Sequence, residues 1–411
     1  MVSGVHSDFL LRFTAPCLSH KLVSWVISSA SSGTPPPSMG YNPQVTMQFI
    51  WAIILGIRAL ESLLKEIVVK GYKVAIVGAT GLVGAEFIKV LEQRRFPVKT
   101  MLLLASDHSA GKVLAFAGEQ HLVKETAPDS FDGIDIAFFS AGADISRRFS
   151  PLAVAAGAVV IDNSAAFRMD ENVPLVVPEV NPEDIALHCG IIANPNCSTI
   201  QMVVALNPLH KVNPLRRIIV TTFQSVSGTG TAAIEELATQ TKQWSAKEEP
   251  LPNVYHYPIA FNVLPEIDAF LEDGYTKEER KMENETHKIM HAPEIMVSAT
   301  CVRVPVFISH SEVVTVEFSR PMSPPECRTV LSRAPGVRVI DDPNTSLYPH
   351  ALMAAGTDDT FVGRIRDDSS RPGGLVMWIV ADNVRKGAAL NAVQIAEEMI
   401  KREWLKSGEH R

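Results

Sequence analysis

Cys197 lies in the stretch ANPNCSTI, where turn-forming residues precede the cysteine and small residues follow it. A cysteine in such a place can be a nucleophile, a metal ligand or a small buried side chain. Nucleophilic catalysis requires a base or a lowered pKa for the thiol, and groups that position a substrate beside it. The turn residues and the small Ser-Thr pair predict that the thiol is exposed in a loop between domains.

Groups that could assist this thiol lie further along the chain. The segments FQSVSGTG, CVRVP and SHSE contain Gln224, Ser227 and Gly228, then Arg303, then His310. Taken singly, such a histidine or arginine is more often structural, in the core or in an ion pair. Cys301 is a rival nucleophile, but it lies within a β-strand pattern, which favours an inert core cysteine.

Composition narrows the kinds of site that the chain can hold. Its five cysteines, Cys17, Cys189, Cys197, Cys301 and Cys327, include no C-x-x-C pair. The sequence therefore indicates no disulfide framework and no metal site, and it favours a reducing compartment. A net charge of −7 and the lack of a long basic run argue against nucleic acid as the main partner. A small-molecule substrate is expected instead.

A glycine-rich loop offers a second kind of chemistry. Gly78, Gly81 and Gly84 form G-x-x-G-x-x-G between a strand pattern, YKVAIVG, and a helix pattern, AEFIKVLEQRR. Glycines allow the backbone to approach a pyrophosphate, and the helix N-terminus supplies free N–H groups. The spacing differs from the usual G-x-G-x-x-G, but its context between a strand and a helix predicts a dinucleotide site.

The end of the next strand, ASDHSAGK, bears on which nicotinamide cofactor binds. Ser106, His108 and Ser109 could hold a 2′-phosphate, whereas Asp107 could accept a hydrogen bond from a 2′-hydroxyl. This stretch alone leaves both NADP and NAD open.

The elements that must position these groups follow from the hydrophobic pattern. Short apolar runs, VKTMLLLAS, IDIAFFSAG and AVVIDNS, alternate with helical patterns in the first part of the chain. This predicts a Rossmann-like, doubly wound α/β dinucleotide-binding domain. After Cys197, strand patterns mix with helical ones, which predicts a mixed α+β second domain. The strand patterns are RRIIVTTFQSVS, SATCVRVPVF and EVVTVEFS, and the helical ones are TAAIEELATQTKQW and TKEERKMENETHKIM.

With 411 residues, two domains are expected. The predicted boundaries are 1–70 for a leader, 71–199 for the dinucleotide-binding domain and 200–385 for the second domain. A C-terminal helix at 386–404 is predicted to pack back on the first domain.

The leader is poor in acidic residues and rich in serine, as a transit peptide is. A disordered extension, or a true start at Met47, explains the same pattern. The apolar run at 49–57 is too short to span a membrane. The chain is thus expected in a plastid stroma or another organelle if the leader is a transit peptide, and otherwise in the cytoplasm, without membrane or nucleic-acid partners.

Ten ordered motifs between Tyr72 and Met399 resemble one family. They are GATGLVG, FSAG, DNSAAFRM, VPEVNP, NPNCST, QSVSGTG, ATCVRVPV, SHSE, VGRIR and RKGAALNAVQIAE, and together they look like aspartate-semialdehyde dehydrogenase. The resemblance implies reductive dephosphorylation of L-aspartyl 4-phosphate through a cysteine thioester. It also implies that the first domain (71–199) is an NADP-binding domain and that the second (200–385) is the catalytic and dimerisation domain. The implied enzyme is a homodimer or homotetramer that acts in the biosynthesis of lysine, threonine, methionine and isoleucine.

The resemblance also implies a role for each matching residue. Cys197 would be the nucleophile, His310 the acid/base and Gln224 an orienting group. Arg303 would bind the substrate α-carboxylate, Glu278 its amino group, and Arg168, Lys281 and Asn196 its phosphate. The implied cofactor residues are Gly78, Thr80, Gly81, Leu82, Val83, Ser106, His108, Ser109, Ser140, Ser227, Gly228 and Asn383. NADP is the cofactor that the resemblance implies. The family often has arginine where this chain has His108, and a neutral histidine grips a 2′-phosphate less well, so NAD is also possible.

Two spacings test these roles physically. Glu278, Lys281, Glu285 and Lys288 form one helical stripe, which on sequence alone favours a solvated face with ion pairs. Arg303 and His310 are seven residues apart, so in one regular strand they would face opposite ways. Both can serve one site only if the strand bends, bulges or ends between them.

Three other functions fit parts of the pattern. An N-acetylglutamyl-phosphate reductase would share the thioester chemistry, but an N-acylated substrate offers no amine for Glu278. A non-catalytic nucleotide-binding homologue would not need Cys197, Gln224, Arg303 and His310 together. A cysteine protease would leave the glycine loop without a purpose.

Overall fold

The computed structural model describes residues 71–405 of the chain. The predictions made for residues 1–70, including the transit peptide and the apolar run at 49–57, lie outside the described residues. No helix within 71–405 combines the length and the apolar character needed to cross a bilayer.

A seven-stranded sheet forms the first part of the described chain. Its strand order is β3-β4-β2-β1-β5-β6-β7, and every neighbouring pair is parallel except the β3–β4 hairpin. The strands are β1 (Tyr72–Val77), β2 (Val98–Ala105), β3 (Val113–Phe116), β4 (Glu119–Glu125), β5 (Ile136–Phe139), β6 (Val159–Asp162) and β7 (Ile191–Ala193). Helices α1 (Leu82–Gln93) and α2 (Ala143–Ala155) connect β1 to β2 and β5 to β6.

Both faces of this sheet are covered, as the apolar runs of its strands predict. Ile76 and Phe138 pack with Phe87 of α1 on one face, and Val77 and Phe139 contribute to a separate cluster on the other. This arrangement confirms the doubly wound α/β class.

A six-stranded mixed sheet follows, in the order β11-β12-β13-β10-β8-β9. Its strands are β8 (Leu215–Gln224), β9 (Met296–Arg303), β10 (His310–Phe318), β11 (Val337–Val339), β12 (Thr360–Asp367) and β13 (Leu375–Ala381). The helices of this part are α3 (Cys197–Val212), α4 (Thr231–Ser245), α5 (Lys277–Met290), α6 (Pro324–Leu331), α7 (Ala351–Ala354) and α8 (Leu390–Lys401). The mixed α+β class predicted for this part is confirmed.

Helix α3 was missed by the sequence analysis, which placed Cys197 in a loop. The reason is that α3 is buried on nearly all sides, from Ser198 to Leu209, so its sequence has no polar stripe. The loop prediction is wrong, because Cys197 is the first residue of this helix.

The C-terminal helix begins differently from its prediction. Arg385–Ala389 form a π-helical turn, and only Leu390–Lys401 are α-helical. The helix packs on the first sheet's core through Leu390 and Val393, and Arg94 of α1 forms an ion pair with Glu397 at 2.7 Å.

The strand that carries Arg303 ends at that residue, and a site shared by Arg303 and His310 requires such an end. Strand β9 stops at Arg303, and β10 starts at His310 after a six-residue connection. Ser309 has φ +79°, in the left-handed region, and β9 and β10 run in opposite directions on either side of β8. The odd spacing of these two side chains therefore does not separate them.

Glu312 is a buried carboxyl group beneath the second sheet. It is fully buried on β10, opposite Thr222 of β8, and neither carboxyl oxygen has a hydrogen-bond partner within 71–405. Burial raises the pKa of Glu312 well above its usual range, and Gln201 of α3 only partly offsets this. We infer that the folded protein holds the Glu312 proton to a higher pH than the unfolded chain does.

Replacing Glu312 with glutamine should flatten the pH dependence of stability. Above about pH 4.3 the unfolded chain releases the Glu312 proton while the folded chain keeps it, so stability falls as pH rises, by up to about 1.4 kcal/mol per pH unit. Urea unfolding of Glu312→Gln between pH 5 and pH 8 should lack this slope. Glu317→Gln, on the same strand but in surface ion pairs with Arg217 and Arg371, is the control. Equal slopes in the parent and Glu312→Gln would mean that Glu312 is ionised.

Candidate active site

Cys197 is held at the start of α3 by the residue before it. Asn196 is the helix N-cap, and its Oδ1 accepts hydrogen bonds from the backbone N–H groups of Ser198 (2.9 Å) and Thr199 (3.3 Å). Strand β7 leads into this cap, so the thiol lies beside the carboxyl ends of the parallel strands. Open α/β sheets place ligands at that edge.

The charges around the thiol oppose one another. Burial raises the pKa of Cys197 to about 12, and the nearby Glu278 carboxylate adds to the effect. Arg168, Arg303 and the Ser198 N–H favour the thiolate, as does a helix N-terminus in general. The thiol is therefore protonated in the site without substrate.

The Glu278 carboxylate, on α5, accepts hydrogen bonds from a cluster of three side-chain donors. Its Oε1 accepts hydrogen bonds from Asn196 Nδ2 (2.8 Å) and Gln224 Nε2 (3.1 Å), and its Oε2 accepts one from Lys281 Nζ (3.1 Å). Although burial raises the pKa of Glu278, the Lys281 charge and these hydrogen bonds hold it below its usual value. Glu278 is therefore an ionised, buried carboxylate, and the helix face is not the solvated stripe that its sequence favoured.

Arg168 lies next to this cluster and is fixed by the protein. Its Nε and Nη2 donate to the carbonyl oxygens of Asn194 (3.0 Å) and Asn163 (2.8 Å), and its Nη1 donates to Glu285 (2.9 Å). These contacts use three of the five guanidinium N–H groups, which leaves two for an anion.

Glu285 is a member of the site that the sequence analysis did not select. It is buried, and it accepts from both Arg168 and the backbone N–H of Asn196 (2.6 Å). It joins Arg168 to the cap of the cysteine helix. Its place two helical turns after Glu278 was the signal available in the sequence.

Arg303 and His310 border one space. A Cβ added at Gly228 would lie 3.0 Å from Arg303 Nη1 and 3.3 Å from His310 Nε2. Arg303 is buried, its Nη1 donates to the carbonyl oxygen of Ser225 at 2.7 Å, and its charge influences the pKa of both Cys197 and His310. The structure thus brings the predicted catalytic and substrate residues into one site.

The glycine loop fits a dinucleotide. Gly78 has φ +87°, and a Cβ there would lie 2.4 Å from the carbonyl oxygen of Ser140 at the end of β5. A Cβ at Gly84 would lie 2.1 Å from the carbonyl oxygen of Gly78. Helix α1 begins after Gly81 with no side-chain cap and no acidic residue in its first turn, so its free N–H groups can donate hydrogen bonds to a pyrophosphate.

The residues proposed for the ribose follow β2 in a short 3-10 turn. Ser106 and His108 are exposed, and Ser109 is half-buried. The Asp107 carboxylate accepts a hydrogen bond from the backbone N–H of His108 at 2.8 Å. The side chains of Asp107 and His108 are thus both exposed to solvent, where a ligand can contact them.

Cys301, the rival nucleophile, is fully buried in β9, where burial raises the pKa of its thiol. Within residues 71–405, no group of three or more His, Cys, Asp or Glu side chains is arranged to hold a metal ion.

The π-helical turn Arg385–Ala389 packs against Cys197. A Cβ added at Gly387 would lie 2.8 Å from Cys197 Cβ. Gly387→Ala should therefore displace the thiol and lower kcat by at least about tenfold, since a misplacement of 1 Å can cost about 10²-fold. Steady-state kinetics and a thermal melt measure the effect, with Ala388→Ser in the same turn as the control. A fully active Gly387→Ala enzyme would show that this contact does not position Cys197.

Comparisons with known proteins follow this geometry. Two family models match the chain: semialdehyde dehydrogenase, NAD binding domain, over residues 73–188, and semialdehyde dehydrogenase, dimerisation domain, over residues 206–386. The aspartate-semialdehyde dehydrogenase of Aquifex aeolicus (strain VF5) is 58% identical over 335 residues, which cover 80% of this chain and 98% of that enzyme.

Crystal structures agree with these matches. Aspartate semialdehyde dehydrogenase II of Vibrio cholerae, complexed with ASA, is 48% identical, with a TM-score of 0.78 over 81% of this chain and 99% of that one. The Candida albicans enzyme with NADP is 27% identical, with a TM-score of 0.65 over 81% and 99%. The glycine loop and the cysteine at the start of α3 agree with these matches, which cover four fifths of the sequence. The chain belongs to the aspartate-semialdehyde dehydrogenase family.

Proposed function

We propose that this chain reduces L-aspartyl 4-phosphate to L-aspartate 4-semialdehyde and phosphate with NADP as cofactor, through a thioester on Cys197. The observation that carries the proposal is the set of charges around the thiol. A carboxylate, Glu278, and two guanidinium groups, Arg168 and Arg303, all act on Cys197. These are the partners that an ammonium, a phosphate and a carboxylate require.

Each end of the substrate has a partner of opposite charge. The planar fork of Arg303 binds the α-carboxylate, and Glu278 binds the α-ammonium group. The two remaining Arg168 N–H groups and Lys281, which also donates to Asp268 at 2.8 Å, bind the phosphate. Gln224 donates to Glu278 and orients it.

Substrate binding activates the thiol. Glu278 is the charge that most opposes the Cys197 thiolate, so an ammonium group beside Glu278 lowers the pKa of Cys197. The Cys197 proton passes to His310, the acid/base that the resemblance implies. The thiolate sulfur then bonds to the acyl carbon, the acyl C–O bond to phosphate breaks, and the departing phosphate takes up the proton.

The residues that would hold the cofactor are the glycine loop, Ser140, Ser227 and Asn383. When bound, the reduced nicotinamide supplies a hydride to the acyl carbon. NADP is favoured because Ser106 and Ser109 can donate to a 2′-phosphate, and because the related Candida albicans enzyme was crystallised with NADP.

An assay of the purified chain tests the proposal. Oxidation of aspartate semialdehyde should require phosphate and should be faster with NADP than with NAD. N-acetylglutamate semialdehyde is the comparison substrate, because its acylated nitrogen cannot pair with Glu278. Faster turnover of the acetylated substrate would favour the N-acetylglutamyl-phosphate reductase alternative, and no turnover of either would favour a non-catalytic homologue.

Cofactor preference gives a separate prediction. His108→Arg should raise the NADP/NAD ratio of kcat/KM by about tenfold, which corresponds to roughly 1.4 kcal/mol of added attraction to the 2′-phosphate. Kinetics with both cofactors measure the ratio. His256→Arg makes the same substitution at an exposed histidine of the second part of the chain, and it is the control for a general change of surface charge. An unchanged ratio in His108→Arg would place residue 108 away from the ribose.

We further propose that the chain forms a homodimer through the outer face of the second sheet. Ile219, Phe223 and Trp378 on this face are partly exposed, and the ring centroids of Phe223 and Trp378 are 5.6 Å apart. The match to a dimerisation domain supports an oligomer. Light scattering of Trp378→Lys tests the interface, because an unchanged mass would rule this face out.

Domain boundaries at 71–199 and 200–385 remain part of the proposal.

A further inference from the structure

Lys386 is a fully buried lysine in the π-helical turn beside the cysteine. Its Nζ donates to both carboxyl oxygens of Glu179, at 2.9 and 2.7 Å, and to the side-chain oxygens of Asn391 (3.0 Å) and Gln394 (2.7 Å). Burial lowers the pKa of Lys386, and the Glu179 carboxylate opposes this effect. All three N–H groups of the ammonium are thus occupied inside the protein.

These contacts hold the turn from one side, and its first residue holds it from another. Arg385 donates to Glu86 Oε1 (2.9 Å) and to Gln93 Oε1 (2.7 Å), both on α1. The ion pair of Lys386 with Glu179 fixes the same turn to the segment between β6 and β7. The backbone of the turn is therefore anchored at two successive residues.

The anchored turn contacts the cysteine and the segment that leads to it. At the next residue, Gly387, an added Cβ would lie 2.8 Å from Cys197 Cβ, so no side chain fits between the turn and the cysteine. Asn194, three residues before the cysteine, donates to the carbonyl oxygen of Ala388 (3.4 Å) and accepts from Asn391 Nδ2 (2.7 Å). Displacement of the turn would therefore move the surroundings of the thiol on two sides.

We propose that Lys386 is a positioning residue: its ion pair with Glu179 holds the π-helical turn against Cys197 and so sets the place of the nucleophilic sulfur. The proposal rests on the proposed thioester on that cysteine. A buried ion pair often stabilises a fold no more than apolar side chains of similar volume, so stability alone does not account for this one. A single π-helical turn is rare and is frequently found at a functional site.

Two variants loosen the ion pair from its two ends. Lys386→Met keeps a long side chain but removes the ammonium, and Glu179→Gln places an NH₂ group beside that ammonium. Each should lower kcat by at least about tenfold, since a misplacement of about 1 Å can cost about 10²-fold. KM for aspartate semialdehyde should stay within a few-fold, and so should the affinity for NADPH, because Arg385 still anchors the turn to α1.

Lys211→Met is the matched control for the loss of a lysine. Lys211 is exposed and lies in the last turn of α3, the helix that begins with Cys197. This variant should keep the kcat of the parent. The proposal is overturned if Lys386→Met and Glu179→Gln both keep the parent kcat, or if the control loses as much as they do. If Lys386→Met does not fold, Glu179→Gln decides the question alone.

Alkylation by iodoacetamide, followed at each cysteine by mass spectrometry, gives a readout that a merely structural role would not move. A released turn uncovers the Cys197 thiol, so its alkylation should be at least about threefold faster in both variants. Cys301 is fully buried and should stay unlabelled. A parallel rise at Cys197 and Cys301 would indicate general loosening of the fold and would overturn the proposal.

The two variants also separate position from charge. Lys386→Met removes a positive charge and Glu179→Gln a negative one, so an effect of charge would change the Cys197 alkylation rate in opposite directions, and that result would overturn the proposal. Alkylation needs no turnover. An inactive parent whose Cys197 responds to both variants would contradict the proposed function alone. An active parent with unchanged kcat and alkylation in both variants would contradict this inference alone.

Discussion

Cys197→Ala should reduce kcat for aspartate semialdehyde by at least about 10⁴-fold, because no other group can form the thioester. Cofactor binding should be unchanged, since the glycine loop lies on β1 and α1 and does not depend on the thiol. Steady-state kinetics and fluorescence titration with NADPH measure the two effects.

Cys301→Ala is the matched control. Cys301 is fully buried in β9, where burial raises the pKa of its thiol, so its loss should cost stability and leave kcat within a few-fold of the parent. The opposite pattern, with an active Cys197→Ala and an inactive but folded Cys301→Ala, would show that the nucleophile is Cys301. An active Cys197→Ala enzyme would also remove the thioester from the mechanism.

Arg303→Lys should lower kcat/KM for aspartate semialdehyde by about 10–10²-fold although the charge is kept. A lysine ammonium is a point charge that cannot make the two parallel hydrogen bonds of a guanidinium to a carboxylate. It also cannot both reach the Ser225 carbonyl, which Arg303 Nη1 holds at 2.7 Å, and bind the substrate. A charge-assisted hydrogen bond of about 1.5–3 kcal/mol sets the expected range.

A truncated substrate shows whether the loss comes from the α-carboxylate. 3-Aminopropanal is aspartate semialdehyde without that group, so Arg303→Lys should affect its kcat/KM by no more than a few-fold. An equal loss with both aldehydes would mean that Arg303 acts on the thiol or on His310, and near-parent activity with aspartate semialdehyde would remove Arg303 from substrate binding.

How much of the fold the sequence predicts depends on burial. The parallel strands of the first sheet read as apolar runs because both of their faces are covered, and the glycine loop between β1 and α1 was evident from local pattern alone. Helix α3 was missed because a helix that is buried on nearly all sides lacks the amphipathic stripe by which helices are identified in a sequence. Strands β11, β12 and β13 were also not identified.

The candidate site divides in the same way between sequence and structure. The sequence by itself determined the types of its groups: Cys197, Arg303 and His310 could be selected from their motifs, and the family resemblance added Glu278 and Arg168. Residue type and spacing carry that information because they are local properties of the chain.

Only the tertiary structure decided how these groups act. Glu285 became part of the site because α5 packs beside the cap of α3, and Gly387 because the π-helical turn contacts Cys197. The backbone N–H of Ser225, 85 residues before His310 in the chain, donates to His310 Nδ1. Protonation states and contacts depend on distances between elements far apart in sequence, and local pattern does not encode those distances.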